Sequence, residues 1–329
     1  MADRRLREAA RHAVRRLHGE RAYDAAIGAA RALRERRRDR AWVAVLDDLL
    51  TSGVTTTGAG RFADPDPAST PIVMCLWNRP ERVEHILGML AGLDPAHPVR
   101  LLLWNNHAPD AAFYAETARR WAEGRGALTS VDLVQSPRNI GGLARFVAAR
   151  LLRNGGYRGP FVMLDDDQDV EASFIGDLLR DWTPRSIVAW WGFSLHGSYW
   201  RRAEITPGTE PDHAGTGGTM ADIDLVADDR FFARLPSRFA FLEDQWMTFF
   251  AKANGWRVVK GDTRIVLVLE EKNQYHGLRP LKDVFYAWQQ SPAGARALRG
   301  GTRRPRWDAG RLRGPVSRGA APPHPPTAR

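Results

Sequence analysis

Three consecutive carboxylates, Asp165, Asp166 and Asp167, follow a run of four apolar residues at 161–164, and Asp169 stands one step further. Like charges packed this closely repel, and a fold tolerates them cheaply in water or around a cation. The apolar run is short and ends at polar punctuation, which predicts a buried strand. At a strand end alternate side chains share a face. Asp165 and Asp167 then converge while Asp166 turns away. Oxygen ligands converging at the carboxyl end of a strand suit Mg²⁺ or Mn²⁺, and such an ion commonly also holds a substrate phosphate. The alternative is a solvated acidic turn, against which the abrupt change from apolar strand to carboxylate cluster counts. A second acidic pair, Glu243-Asp244, opens a stretch with Trp246, Phe249, Phe250 and Ala253 at helical spacing. Carboxylates at a helix N-terminus are held ionised by the backbone dipole. A plain capping pair is the alternative there.

The elements that position these groups begin at Pro71. Residues 72–77 form a near-continuous apolar run, the pattern of a strand buried on both faces of a parallel sheet. Asn78, Pro80 and Glu81 then predict a helix start, with Asn78 as its cap. Further strands are predicted over 99–104 and 130–134, with helices over 111–122, 140–152 and 173–182. Strand and helix alternate four times, the signature of a doubly wound parallel sheet. Ligands bind such sheets at the carboxyl ends of the strands. Asn78-Arg79, Asn105-Asn106, Arg138-Asn139 and Asp165–Asp167 all fall at that rim. After Ser186 the pattern changes to a Trp-bearing strand over 187–193, a Gly-, Thr- and Pro-rich loop over 197–220, and strands over 257–259 and 264–269.

The net charge of +10 is concentrated at the ends. Residues 1–40 hold 13 Arg against 6 acids, and residues 293–329 hold 9 Arg against Asp308, so the body between is acidic. Basic ends can touch an anionic membrane surface or a partner protein; nucleic acid is the less favoured partner because the body is not basic. Residues 1–50 read as a basic helical extension, in three stretches punctuated by Gly19 and Gly53. Residues 51–70 read as a linker and 293–329 as a disordered tail. The single cysteine, Cys75, excludes a disulfide framework and a Cys-based metal site. No apolar run approaches the roughly 18 residues of a membrane span. These features predict a cytoplasmic protein, peripheral to a membrane at most.

Roughly residues 71–280, within a catalytic domain bounded at 71–292, resemble the GT-A class of glycosyltransferases, most nearly family 2. The resemblance rests on Trp77-Asn78-Arg79 after the first strand, Asn105-Asn106 after the second, where the family usually carries Asp, and Arg138-Asn139-Ile140-Gly141-Gly142. It rests further on Asp165-Asp166-Asp167, which is similar to a DxD motif, on Gly217-Gly218-Thr219-Met220, similar to a glycine-rich acceptor-side strand, and on Glu243-Asp244 with its aromatic helix, similar to an ED motif. It implies an α/β GT-A fold, a mostly parallel twisted sheet flanked by helices, with 71–182 as the nucleotide-sugar half and 183–292 as the acceptor half.

The resemblance further implies a metal-dependent transferase moving a sugar from a nucleotide-diphosphate donor to an acceptor hydroxyl. Asp167, Asp165 and His276 would hold Mn²⁺ or Mg²⁺. Trp77, Asn78, Arg79, Asn105, Asn139, Gly141, Gly142, Arg145, Asp165 and Asp166 would bind the donor, and Trp191, Gly217, Gly218 and Thr219 the acceptor. Asp244 would be the general base of an inverting reaction, with Glu243 beside it. A retaining transferase of the same fold and a non-catalytic sugar- or nucleotide-binding scaffold are the alternatives.

Overall fold

The computed structural model describes residues 20–268, 277–299 and 307–314. The helix α1, Glu20–Ser52, joins the second and third expected stretches, 23–33 and 42–50, in one continuous rod; the first, before Gly19, lies outside the described residues. Among the described residues its interior carries a single glycine, Gly28, and no proline, so nothing breaks it. Its first half is exposed, while Leu46, Leu49 and Leu50 near its end are buried against the body. It stops at Gly53, whose φ of 74° favours glycine and whose missing side chain leaves room for the backbone of Arg311.

Segment 51–70 is not a free linker. Its short strand Val54–Thr55 pairs in parallel with Leu312–Arg313, and Thr57–Gly58 adds an antiparallel edge to the main sheet. The carboxylate of buried Asp132 accepts the backbone N–H groups of Gly60 (2.6 Å) and Phe62 (2.9 Å), and Phe62 is fully buried. A polar composition hid two anchors, one aromatic ring and one partner carboxylate far along the chain.

The body follows the predicted alternation. β1 (Thr70–Leu76), α2 (Val83–Ala91), β2 (Val99–Asn105), α3 (Ala111–Arg120), β3 (Leu128–Gln135), α4 (Leu143–Asn154) and β4 (Pro160–Asp165) run in order. They are followed by β5 (Gln168–Val170), α5 (Phe174–Asp181), β6 (Ser186–Ala189), β7 (Gly192–Leu195), β8 (Arg202–Glu204), β9 (His213–Ala214) and β10 (Thr219–Asp222). α6 (Glu243–Ala253), β11 (Arg257–Lys260), β12 (Ile265–Leu267), α7 (Arg279–Gln289) and α8 (Pro292–Leu298) close the body.

The main sheet has the order β11-β6-β10-β4-β1-β2-β3, with Thr57–Gly58 at the far edge. β1, β2, β3 and β4 are mutually parallel, as are β6 and β11, and β10 runs antiparallel between β4 and β6. Side chains alternate between two cores, as a sheet buried on both faces demands. In β4, Phe161 and Met163 face the core shared with α1, α4 and α6, while Val162 and Leu164 face α2, α3 and α5. This is a mixed α/β sheet flanked by helices, with an N-terminal helix packed on the body by its end.

Three expectations are corrected outside the main sheet's centre. The strand over 187–193 is two strands, β6 and β7, broken at Trp190-Trp191 as the chain leaves the main sheet for a smaller one. α7 went unread in the sequence. The tail is ordered in part: α8 is capped by Ser291, which accepts the Gly294 N–H at 3.3 Å, and Trp307 is fully buried with its Nε1 donating to Asp47 at 2.7 Å. Residues 307–314 strap α1 to the body. Among the described residues no helix is long and apolar enough to cross a membrane.

Candidate active site

A cavity of about 390 Å³ opens at the carboxyl ends of β1, β2 and β4 and runs across to the start of α6. Its first wall is the parallel half. Past β1 the chain turns sharply at Asn78, whose φ is 53°, a conformation asparagine tolerates better than most residues. Asn78 is exposed and does not cap the following helix, contrary to expectation. The turn instead delivers the backbone N–H of Trp77 to Asp166 Oδ2 at 3.0 Å and swings Arg79 into the interior. Arg79 pairs with Asp166 and, at 3.2 Å, with Asp167.

Strand alternation therefore fails one residue early. β4 ends at Asp165, and Asp166 and Asp167 lie in the turn before β5. Asp166 faces the same arginine as Asp167, while Asp165 pairs with Arg145 of α4. All three aspartates line the cavity. Burial pushes the Asp166 carboxyl up to about 6 against the pull of Arg79.

Gly141 and Gly142 lead into α4 and also line the cavity. A Cβ at Gly142 would run into the Glu243 carboxylate and the Arg145 guanidinium. The missing side chain is what admits Glu243 to the start of α4, a place the resemblance gives to the donor. Arg145 Nη1 lies 3.2 Å from Glu243 Oε1, so one buried guanidinium joins Asp165 to Glu243.

The second wall is built from the other half. Trp191 lines it, stacked on Trp190 with ring centroids 5.0 Å apart. Gly217 lines it because a Cβ there would meet the Asp165 carboxylate and Gln168. Asp244, in the first turn of α6, lies 3.1 Å from Lys282 Nζ and 3.6 Å from His213 Nε2. Lys282 Nζ also donates to Tyr199 Oη at 3.0 Å, and Arg202 Nη1 donates to the same oxygen at 2.8 Å.

The two acidic neighbours are driven apart. Burial pushes Glu243 up to about 7, with Arg145 pulling against it. Burial raises Asp244 too, but Lys282, His213 and the Gln245 N–H more than offset it, and Asp244 falls to about 2. Burial also keeps His213 neutral, down to about 4.

Of the residues expected at the site, Trp77, Arg79, Gly141, Gly142, Arg145, Asp165, Asp166, Asp167, Trp191, Gly217, Glu243 and Asp244 share this cavity. Asn78, Asn105, Asn139, Gly218 and Thr219 do not line it. Asn105 is buried, donating to Gln135 Oε1 and accepting from the His107 N–H, both at 2.8 Å; its neighbour Asn106 lines the cavity instead. Asn139 accepts the Gly141 N–H at 2.8 Å and shapes the turn. Gly218, with φ of 69°, lies against Ile265, and Thr219 donates to Gly215 O at 2.7 Å inside the sheet. His276 lies outside the described residues. Tyr199, Arg202, His213 and Lys282 were missed. Leu281, Phe285 and Trp288 at helical spacing could have revealed α7, and with it Lys282.

The donor type fits a hard cation, since Asp165 and Asp167 stand in one cavity. The set is incomplete: among the described residues no group of three or more His, Cys, Asp or Glu side chains is placed to hold a metal ion. Each of the two carboxylates also holds an arginine.

No protein-family model matches the chain, and no curated protein does. Among solved structures the chain is similar to the crystal structure of S. aureus TarS 1–349, at 14% identity and a TM-score of 0.45, covering 65% of this chain. The chain spans 64% of that chain's length.

Proposed function

We propose that the cavity binds a nucleotide-diphosphate sugar and transfers its sugar to an acceptor hydroxyl, with inversion. One observation carries this reading. Asp165–Asp167, Gly141-Gly142, Arg145 and Glu243-Asp244, drawn from segments far apart in sequence, meet in one cavity at the carboxyl ends of the parallel strands. Ligands bind open α/β sheets at that edge.

The residues divide the work as follows. Arg79 and Arg145 carry the positive charge of the donor wall and are placed to meet a diphosphate as negative charge grows on it. Trp77 offers a ring face to a base. A divalent ion held by Asp165 and Asp167 would supply Lewis-acid stabilisation of the leaving group. It would share those carboxylates with Arg145 and Arg79.

The acceptor hydroxyl attacks the anomeric carbon, the bond to the diphosphate oxygen breaks, and the hydroxyl proton passes to a carboxylate. Asp244 is the first choice for that base. It stays ionised throughout the neutral range because the Lys282 ammonium pairs with it, although a value near 2 makes it a weak proton acceptor. A second reading has a specific observation behind it: Glu243 lines the same cavity and sits near 7, where general-base catalysis is efficient. Then Asp244 positions the acceptor and Glu243 takes the proton.

A thermal-shift screen of nucleotide sugars with and without Mn²⁺ tests the binding claim, followed by NMR of the product anomer. Stabilisation by at least one nucleotide sugar and an inverted product are the expected results. A retained anomer moves the chain to the retaining alternative, and tight binding with no turnover against any hydroxyl acceptor leaves the scaffold alternative. Asp167→Ala is expected to abolish Mn²⁺-dependent binding of a nucleoside diphosphate in calorimetry; unchanged affinity removes the metal from the proposal.

A further inference from the structure

Among the described residues the charges of the cavity pair off with one exception. Arg79 holds Asp166 and Asp167, Arg145 holds Asp165 and Glu243, and Lys282 holds Asp244. Arg202 lines the same cavity, and among the described residues no carboxylate stands within ion-pair distance of it. A guanidinium stays charged at any working pH. Arg202 is also held still. Its guanidinium lies over the rings of Phe193 (4.3 Å), Tyr199 (5.0 Å) and Trp200 (5.8 Å), and one N–H is tied to Tyr199 Oη. Aromatic faces orient such a cation without neutralising it, and its remaining donors are those of a fork that matches an oxyanion.

Its place tells which molecule brings that oxyanion. Tyr199 Oη accepts from both Arg202 and Lys282, and Lys282 holds Asp244. Arg202 therefore stands at the proton-accepting end of the cavity, tied through Tyr199 and Lys282 to Asp244, and among the described residues no hydrogen bond or ion pair joins it to Asp165–Asp167. We propose that the acceptor is an anionic sugar or sugar-like alcohol, whose phosphate or carboxylate is received by Arg202 while its hydroxyl faces Glu243-Asp244. The word acceptor rests on the transferase reading above; the oxyanion site does not.

Calorimetry on the full chain tests this with glucose 6-phosphate, glucuronate and glucose as probes, and with uridine, guanosine and thymidine diphosphates as donor-side controls. At low salt the wild type is expected to bind the two anionic sugars about tenfold or more tighter than glucose, a preference that shrinks as salt screens it. Arg202→Gln is expected to remove the preference and to leave nucleoside diphosphate affinity within about twofold, while Arg202→Lys keeps part of the preference. Equal binding of charged and neutral sugars by the wild type, which needs no variant to read, overturns the proposal. So does an Arg202→Gln variant that loses nucleoside diphosphate affinity but keeps the anionic preference, since Arg202 then serves the donor. If no nucleoside diphosphate binds while the preference and its loss in Arg202→Gln persist, the oxyanion site stands and the transferase reading fails.

Discussion

The two walls of the cavity are built by different rules. The wall around Asp165–Asp167 comes from turns that each follow a parallel strand, so its groups are delivered by βα units, save Glu243, which α6 brings to Arg145. The wall around Asp244 draws Tyr199 and Arg202, His213, and Lys282 from three separate segments, and the Tyr199–Lys282 contact alone spans 83 positions. Charge follows the same division. On the first wall two arginines are shared among four carboxylates, and two of these, Asp166 and Glu243, are pushed up by burial. On the second wall one carboxylate has an ammonium and a histidine to itself and is pulled down. Local topology is enough to collect like charges. Long-range packing is needed to set one of them apart.

The largest test of that contrast is to remove each acid of the Glu243-Asp244 pair. Loss of a general base costs about 10²–10⁴-fold in turnover. Asp244→Asn is expected to show that loss with donor affinity intact. If Glu243→Gln shows it instead, and wild-type kcat/KM rises with pH through about 7, the proton goes to Glu243. A wild-type profile flat from pH 5 to 8 keeps Asp244 in the role, because a group near 2 is already ionised there.

Next in size is the pair Lys282–Asp244. Lys282→Met leaves a buried carboxylate without its ammonium, a change that typically costs about 3–5 kcal/mol. The cost depends on pH with a definite sign. In the wild type Asp244 lies below its ordinary 3.8, so it stabilises the fold above that value and loses this as pH falls toward 2. In Lys282→Met burial dominates and the group rises, so the deficit is expected to be largest at pH 8 and to shrink as pH falls and Asp244 takes up a proton. Denaturation midpoints of both proteins across pH 4–8 read this, and Lys282→Met with Asp244→Asn is expected to recover most of the loss. A deficit independent of pH would mean that Lys282 acts by packing alone.

Glu243 behaves oppositely. Its value in the fold is raised from 4.5 to about 7, so the wild type loses stability as pH climbs through that window. Glu243→Gln removes the cost of ionising a buried acid and is expected to stabilise the chain at pH 8 by on the order of 2 kcal/mol, with little change at pH 4.5. Lower stability at pH 8 would show that Arg145 needs Glu243 as well as Asp165.

Legibility in the sequence tracks the same division. The parallel half was readable because its strands are apolar runs and its site groups sit where those runs stop: Trp77, Asp165 and Gly141 are each within a few residues of an element end. Asp166 was misplaced because period-two reasoning was carried past the end of β4 into a turn. In the other half Lys282 sits within a helix after Pro280 and His213 within a Gly- and Pro-rich stretch, neither at the end of an apolar run, and only the folded chain brings them to Asp244. The ends misled for a related reason. Trp307 and Phe62 are single aromatic anchors in polar, Gly- and Pro-rich surroundings, and composition averages away a lone ring whose partner is far off in sequence.

The smallest effect separates position at the rim from membership of the wall. Asn105 and Asn106 stand side by side at the end of β2, and the resemblance gives donor contact to Asn105. The pleat resolves them. Asn105, the last residue of β2, turns to the β3 side, where its amide meets Gln135 and its oxygen takes the His107 N–H. Asn106 turns to the cavity, where it bonds Gly141 O at 3.2 Å and takes the Ile140 N–H at 3.3 Å, holding the turn that carries Gly141-Gly142. Each truncation to alanine removes hydrogen bonds of ordinary strength, about 1 kcal/mol of stability. Only Asn106→Ala is expected to weaken nucleoside diphosphate binding, because only that turn lines the cavity; Asn105→Ala is expected to leave it within about twofold while lowering the denaturation midpoint. Equal losses of affinity in the two variants would mean that the whole end of β2, and not the turn at Gly141, is what the donor feels.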